Sequence, residues 1–193
     1  MAGKQAKVLS SAQISTVLTH LSTARHAARD RVMFLLSTKA GFRAKEIAMV
    51  TWSMVLTATG EVGDVIHLED RASKGASGRS IPMNRDLRAA LVDLHGRGIR
   101  GADHPVIYSE RGRGMTANTV VAWFSRLYDR LGFLGCSSHS GRRTFVTMAA
   151  RKVGQAGGSL RDVQMLAGHR SLSMTARYIE SDTDSQRRLV NLI

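Results

Sequence analysis

A handful of side chains in this sequence are of the types that could grip an anion, move a proton and supply an oxygen nucleophile. Arg43 stands in AGFRAKEIAMVTW, just past a glycine at a helix start. There its guanidinium can join free backbone N–H groups in facing an anion, although it also reads as an exposed helix arginine paired with Glu46. Lys74, in RASKGASGRSIPM, lies at the edge of a Gly-rich hairpin. It can swing a point charge and a proton onto a phosphate oxygen, or simply be a solvated loop lysine. His139 and Arg142 in SSHSGRRTFVTM are three residues apart, on one side of a helical turn, and suit two donors gripping one phosphate. In LAGHRSLSMTARYIE, His169 follows a Gly-terminated helix and Tyr178 comes nine residues later on the next helix. Tyr178 also fits an amphipathic core tyrosine, the role expected of Tyr108 and Tyr128. Cys136 with His139 is a weak thiol-hydrolase pair, since nothing nearby supplies an orienting group or oxyanion hole.

These residues must be held by local elements, and hydrophobic spacing predicts them. Ser10 or Ser11 caps a helix whose Ile14, Val17, Leu18 and Leu21 share one face. A second helix runs from about Ala28 to Lys39, ending near Gly41, and a third carries Glu46, Ile47 and Val50. From Thr51 to Met83, VGDVIHLED, the turn-like SKGASGR and SIPM read as antiparallel strands around a Gly-rich loop. Helical spacing returns in Leu87, Ala90, Leu91 and Leu94 behind Asn84, and in Val120, Phe124, Leu127 and Leu131 behind Thr116 or Asn118. PVIYSERGRGM between them reads as a short strand and a basic loop. FVTMAARKV, LRDVQMLAG behind Ser159, SMTARYIE and RRLVNLI read as short helices. The expected fold class is mainly α with a small antiparallel β-sheet. Residues 1–9 are expected to form a flexible basic end, 10–182 the domain, and 183–193 a C-terminal helix or tail.

With 193 residues and 43% hydrophobic content, the chain can bury one sizeable core. Its 28 Lys and Arg against 15 Asp and Glu leave a net charge of +13, which predicts a polyanionic partner, nucleic acid before membrane or acidic protein. No membrane-length apolar run, signal peptide or lipidation motif is present. A single cysteine leaves no intramolecular disulfide and no Cys-based zinc site, which fits a reducing cytoplasmic setting.

Taken as an ordered set, the motifs resemble the catalytic domain of the tyrosine recombinases, the phage integrase family. AGFRAKEI is similar to the family's first arginine box, SKG before a basic strand to its hairpin lysine, HSGRRT to its His-x-x-Arg box, and AGHRSLSMTARY to its Gly-His followed by tyrosine. The likeness runs from Ser10 to about Asp182. It implies a site-specific recombinase that cuts and rejoins double-stranded DNA without metal or other cofactor. Tyr178 would form a 3′-phosphotyrosyl link, Arg43 and Arg142 would hold the non-bridging oxygens, and Lys74 would protonate the leaving 5′-oxygen. His139 would accept a proton, His169 would donate a hydrogen bond to phosphate, and Glu46 would buttress the site.

The resemblance also implies a homo-oligomer, a tetramer on DNA, with a DNA-bending accessory protein as a further partner. Leu189, Val190, Leu192 and Ile193 would dock on a neighbouring protomer. The short architecture is similar to the single-domain inversion recombinases that switch fimbrial expression, to which HAARDRVMFLL before AGFR adds. The family's N-terminal helical clamp domain is expected to be missing, as about nine residues precede the first helix. Gly141 stands where a bulky apolar residue is usual and Arg143 where a second histidine is common; Gly141 lowers helix propensity by about 1 kcal/mol.

The chemistry is physically sound. A free tyrosine is roughly 0.1% ionised at pH 7, a deficit of about 4 kcal/mol that a base and a cluster of cations can reduce. Two arginines and a lysine can provide the electrostatic stabilisation that phosphoryl transfer demands. Two other outcomes use the same basic fold: a non-catalytic DNA-binding regulator, and a type IB topoisomerase-like nicking-closing enzyme.

Overall fold

The computed structural model describes residues 6–73, 78–98, 101–178 and 190–191. Lys74, Leu189, Leu192, Ile193 and most of the expected tail lie outside the described residues; Val190 is described and is exposed. The architecture has the expected class, helical with one two-stranded antiparallel sheet.

Helix α1 (Ser11–Ser22) starts in a capping box, with the Ser10 hydroxyl accepting from the Gln13 amide and Gln13 accepting from the Ser10 amide. Helix α2 (Ala27–Lys39) is the pillar of the domain, with Val32, Met33, Phe34, Leu35, Leu36, Ser37 and Thr38 buried without a break. It can be buried on every side because α1, α3 (Ala44–Met49), α4 (Arg85–Gly96) and α6 (Ser140–Lys152) all pack on it. The predicted stripe Leu87, Ala90, Leu91 and Leu94 is the buried face of α4, behind an Asn84 cap. Each fully buried leucine there contributes roughly 2 kcal/mol. Helix α5 (Ala117–Arg130) is capped by Thr116, and Tyr128 joins Val120, Phe124 and Leu127 on its buried face. Leu131, expected on that stripe, is the C-cap instead and only partly buried.

Strands β1 (Val65–Leu68) and β2 (Arg79–Pro82) pair with Ile66 opposite Ile81, both buried. The strand expected in PVIY does not form among the described residues; only single bridges occur, Thr51 with Pro105 and Tyr108 with Gly114. Pro105 has no amide to extend a ladder, and Val106 and Ile107 are both wholly buried rather than alternating. Val50 is the extended C-cap of α3, not a helical residue. Residues 6–9, expected to be a frayed end, are tied down: the Lys7 amide donates to the Gly135 carbonyl at 3.1 Å and the Leu9 amide to Thr144 Oγ1 at 2.8 Å.

Helices α7 (Leu160–Ala167) and α8 (Leu172–Ala176) follow α6. A second, small apolar cluster of Val146, Val163 and Ala167 joins α6 to α7, and the Tyr178 ring packs against it. Gly141, the unusual residue of the His-x-x-Arg segment, has a packing reason. A Cβ at that position would lie 2.3 Å from Ser37 Oγ and 2.8 Å from Ser37 Cβ, so the glycine lets the start of α6 close on α2.

Candidate active site

A cavity of about 450 Å³ opens where α3, α6 and the segment after α7 meet, and Arg43, His139, Arg142, His169 and Tyr178 all line it. Five of the residues singled out from sequence are thus brought together. Glu46 lies one layer behind them with its side chain fully buried. Lys74 is outside the described residues, but its neighbour Ser73 is held by Lys45 Nζ on its carbonyl at 3.3 Å. No carboxylate lines the cavity among the described residues, whereas Arg143 and Arg177 add to its positive wall.

Arg43 is the N-cap of α3, and its pairing with Glu46 is the one expected from sequence. It faces the cavity and pairs with Glu46, Nη1 to Oε1 at 2.9 Å. Its amide, expected to be a free donor, is taken by Glu46 Oε2 at 2.8 Å. Burial alone pushes the Glu46 carboxyl up, but the hydrogen bonds and charges of Arg79 and Arg43 outweigh that and hold it below its ordinary value.

Arg142 is anchored differently. Its two terminal nitrogens donate to main-chain carbonyls, Nη1 to Gly41 at 2.6 Å and Nη2 to Ala167 at 2.7 Å. The guanidinium is therefore fixed by neutral partners, and its charge stays available to an anion. Burial first, then repulsion from Arg43 and Arg79, lowers its pKa to about 10, so it remains a cation at neutral pH. The Ala167 carbonyl is presented because α7 ends at Gly168, whose φ of +60° turns the chain out of the helix.

His169 follows that turn. Its Nδ1 is 2.9 Å from Oγ1 of the wholly buried Thr175, and Gln164 Nε2 donates to its carbonyl at 2.9 Å. With Nδ1 so engaged, Nε2 is the ring nitrogen left for the cavity. Burial, followed by the charges of Arg142, Arg43 and Arg79, drives its pKa down to about 4, so His169 is neutral at pH 7. His139 is the exposed N-cap of α6 and stands at the cavity rim.

Tyr178 is not on a helix as expected. It lies in the turn just after α8, its amide donating to the Thr175 carbonyl at 3.0 Å. Its ring stacks on His169 and lies under Arg143, whose guanidinium carbon is 5.9 Å from the ring centroid. The other tyrosines stay out of the site. Tyr128 is buried in the main core with its phenol pushed up by that burial, and Tyr108 packs edge-on against His104. Cys136 packs on the main core and is not among the residues lining the cavity.

Sequence reasoning missed Arg79 and Thr175, and noted Arg143 only as a departure from the family pattern. A signal existed for Arg79: the two-residue strand period puts it on the same face as buried Ile81, where an arginine demands an acidic partner. Thr175 gave none, because only the fold shows that its hydroxyl meets His169. Among the described residues no group of three or more His, Cys, Asp or Glu is placed to hold a metal ion, and no helix is long and apolar enough to cross a membrane.

Comparison with known proteins gives the family and the fold. The model of the Phage integrase family matches residues 7–185. Tyrosine recombinase XerC of Pelobacter propionicus is 27% identical over 158 residues, covering 81% of this chain and 49% of the relative. XerC of Salmonella typhi is 29% identical over 161 residues with the same coverage. The chain thus spans about half the length of the curated relatives it matches. Among solved structures, the Tn1549 transposon integrase in complex with a circular intermediate DNA superposes with a TM-score of 0.77 at 19% identity, over 100% of this chain and 67% of that one. XerA recombinase gives 0.72 at 19%, over 96% and 64%. At such identities the likeness speaks to the fold, which is that of tyrosine recombinase catalytic domains. Because that family model matches residues 7–185, most of the chain, this chain belongs to the phage integrase family.

Proposed function

We propose that this chain cuts and rejoins double-stranded DNA as a site-specific recombinase, with Tyr178 as the nucleophile. The observation that carries the reading is a cavity in which one tyrosine meets Arg43, Arg142, His139 and His169 with no lining carboxylate among the described residues. A wall of cations without acids suits a phosphodiester, and a half-buried tyrosine beside it supplies the attacking oxygen.

In the proposed step, the Tyr178 oxygen attacks phosphorus and gives its proton to His139. The new bond joins tyrosine to the 3′-phosphate, and the bond to the 5′-oxygen breaks. Lys74 protonates that leaving oxygen, so the products are a 3′-phosphotyrosine and a 5′-hydroxyl. Arg43 and Arg142 hold the two non-bridging oxygens as charge builds on them. His169, neutral and fixed through Nδ1, donates from Nε2, which requires the Thr175 hydroxyl to donate to Nδ1. Glu46 keeps Arg43 aimed. The phosphotyrosine conserves the bond energy, so a second 5′-hydroxyl can reverse the step and complete a strand exchange.

The net charge of +13 supports a DNA partner, as do the relatives whose structures contain DNA. We further propose that it acts in the cytoplasm, on the nucleoid, as a homo-oligomer on its site, a tetramer, with a DNA-bending protein as an accessory. Residues 183–193 would dock in trans. A supercoiled plasmid carrying two copies of the native flanking DNA tests the reading. Recombinant circles are expected. Relaxed topoisomers alone would favour a nicking-closing enzyme, and tight, salt-sensitive binding without any strand transfer would favour a regulator.

A further inference from the structure

Arg79 opens β2 with only 6% of its side chain exposed, and it holds two parts of the site at once. Its Nη1 and Nη2 donate to Oε1 and Oε2 of Glu46 at 3.0 and 3.2 Å. Its Nε donates to the Leu166 carbonyl at 2.9 Å, and its guanidinium lies over the Phe42 ring at 5.7 Å. Glu46 in turn carries Arg43 through its amide and its Nη1. Leu166 adjoins Ala167, whose carbonyl takes Arg142. Arg79 thus reaches Arg43 through Glu46 and Arg142 through the end of α7.

We infer that Arg79 is a positioning residue that sets the spacing of Arg43 and Arg142 so that both close on one tetrahedral oxyanion, an inference that rests on the phosphodiester reading of the cavity. Two features of the geometry support it. The planar fork of a guanidinium satisfies a carboxylate and a carbonyl together, which a lysine ammonium cannot do with the same rigidity. The charge count also matters, because three guanidiniums against the single carboxylate of Glu46 leave two positive charges facing the cavity. Removing Arg79 would leave Glu46 buried with Arg43 alone, and the carboxylate would then draw the Arg43 guanidinium back from the anion.

The test titrates inorganic phosphate and orthovanadate into the full chain and into variants, with thermal unfolding recorded alongside. Arg79→Met is expected to weaken oxyanion binding by about tenfold or more, and Arg79→Lys to recover only part of the loss. Adding Glu46→Gln to Arg79→Met should restore much of the affinity, because no carboxylate then competes for Arg43. A merely structural role would lower the unfolding midpoint without this rescue. Wild-type affinity in Arg79→Met, or in Arg79→Lys should the former not fold, would overturn the inference. So would failure of Glu46→Gln to restore any affinity, or absence of oxyanion binding in the wild type. Detergent-stable adduct formation on DNA decides the phosphodiester reading separately. A wild type that binds orthovanadate but never forms an adduct would sink that reading while leaving the Arg79 result to stand on its own titration.

Discussion

His169 lies nearly parallel to Tyr178, with ring centroids 5.6 Å apart and 18° between the planes. The stack joins the proposed hydrogen-bond donor to the proposed nucleophile, and its imidazole is 7% exposed and neutral at pH 7. Its pKa of about 4 in the fold, against 6.5 outside it, has a consequence for stability. Between those values the unfolded chain binds the proton and the folded chain does not. The contribution of a neutral His169 is therefore whole above pH 6.5 and is lost as the pH falls towards 4, a change on the order of 3 kcal/mol at most. Urea unfolding of wild type and His169→Gln across that interval should show the gap between them shrinking as pH falls. A constant gap would contradict the assignment.

Arg142 is the most committed side chain of the site. Replacing it with lysine keeps the charge but cannot bridge the Gly41 and Ala167 carbonyls. Arg142→Lys should cost about 2 kcal/mol of stability, since one buried carbonyl loses its donor. It should slow formation of the covalent DNA adduct by at least about a hundredfold, the scale of removing one oxyanion donor. Chemical denaturation and single-turnover adduct kinetics measure the two effects. A variant with an intact adduct rate would mean that Arg142 serves packing alone.

Gly141 offers a test in which propensity and packing disagree. Helix propensity predicts that Gly141→Ala stabilises by about 1 kcal/mol. The Cβ would meet Ser37 at 2.3 to 2.8 Å, and overpacking of that kind costs roughly 1 to 3 kcal/mol. Net destabilisation is expected, with most of the packing cost relieved when Ser37→Gly is added. Denaturant midpoints of the two single variants and the double variant give the answer, and a stabilised Gly141→Ala would show that α2 and α6 are not so closely apposed.

The order of the chemical residues was legible because each sits in a short segment whose turn or helix start can be read locally. Gly41 before Arg43 and Gly168 before His169 mark helix ends, and Ser10, Asn84, Thr116 and Ser159 act as the caps their types suggest. The fold class followed from the same periodicities. What could not be read were relations across long sequence separations. Arg79 meets Leu166 and Arg142 meets Gly41, far apart in the chain, and no periodicity encodes such partners. The continuous burial of α2 hid its amphipathic register, and PVIY looked like a strand because a buried apolar run has no period of its own. Tyr178 fell just beyond α8 because that helix stops at Ala176.

Attack of Tyr178 on a DNA phosphate would leave a covalent trace on the protein. Wild type and Tyr178→Phe are incubated with supercoiled DNA carrying the native flanking region, quenched in detergent, digested, and analysed for a nucleotide on tyrosine. A 3′-phosphotyrosyl adduct at Tyr178 is expected in the wild type and none in Tyr178→Phe, whose DNA affinity should be unchanged. An adduct that persists in Tyr178→Phe, or one mapped to Tyr108 or Tyr128, would contradict attack by Tyr178.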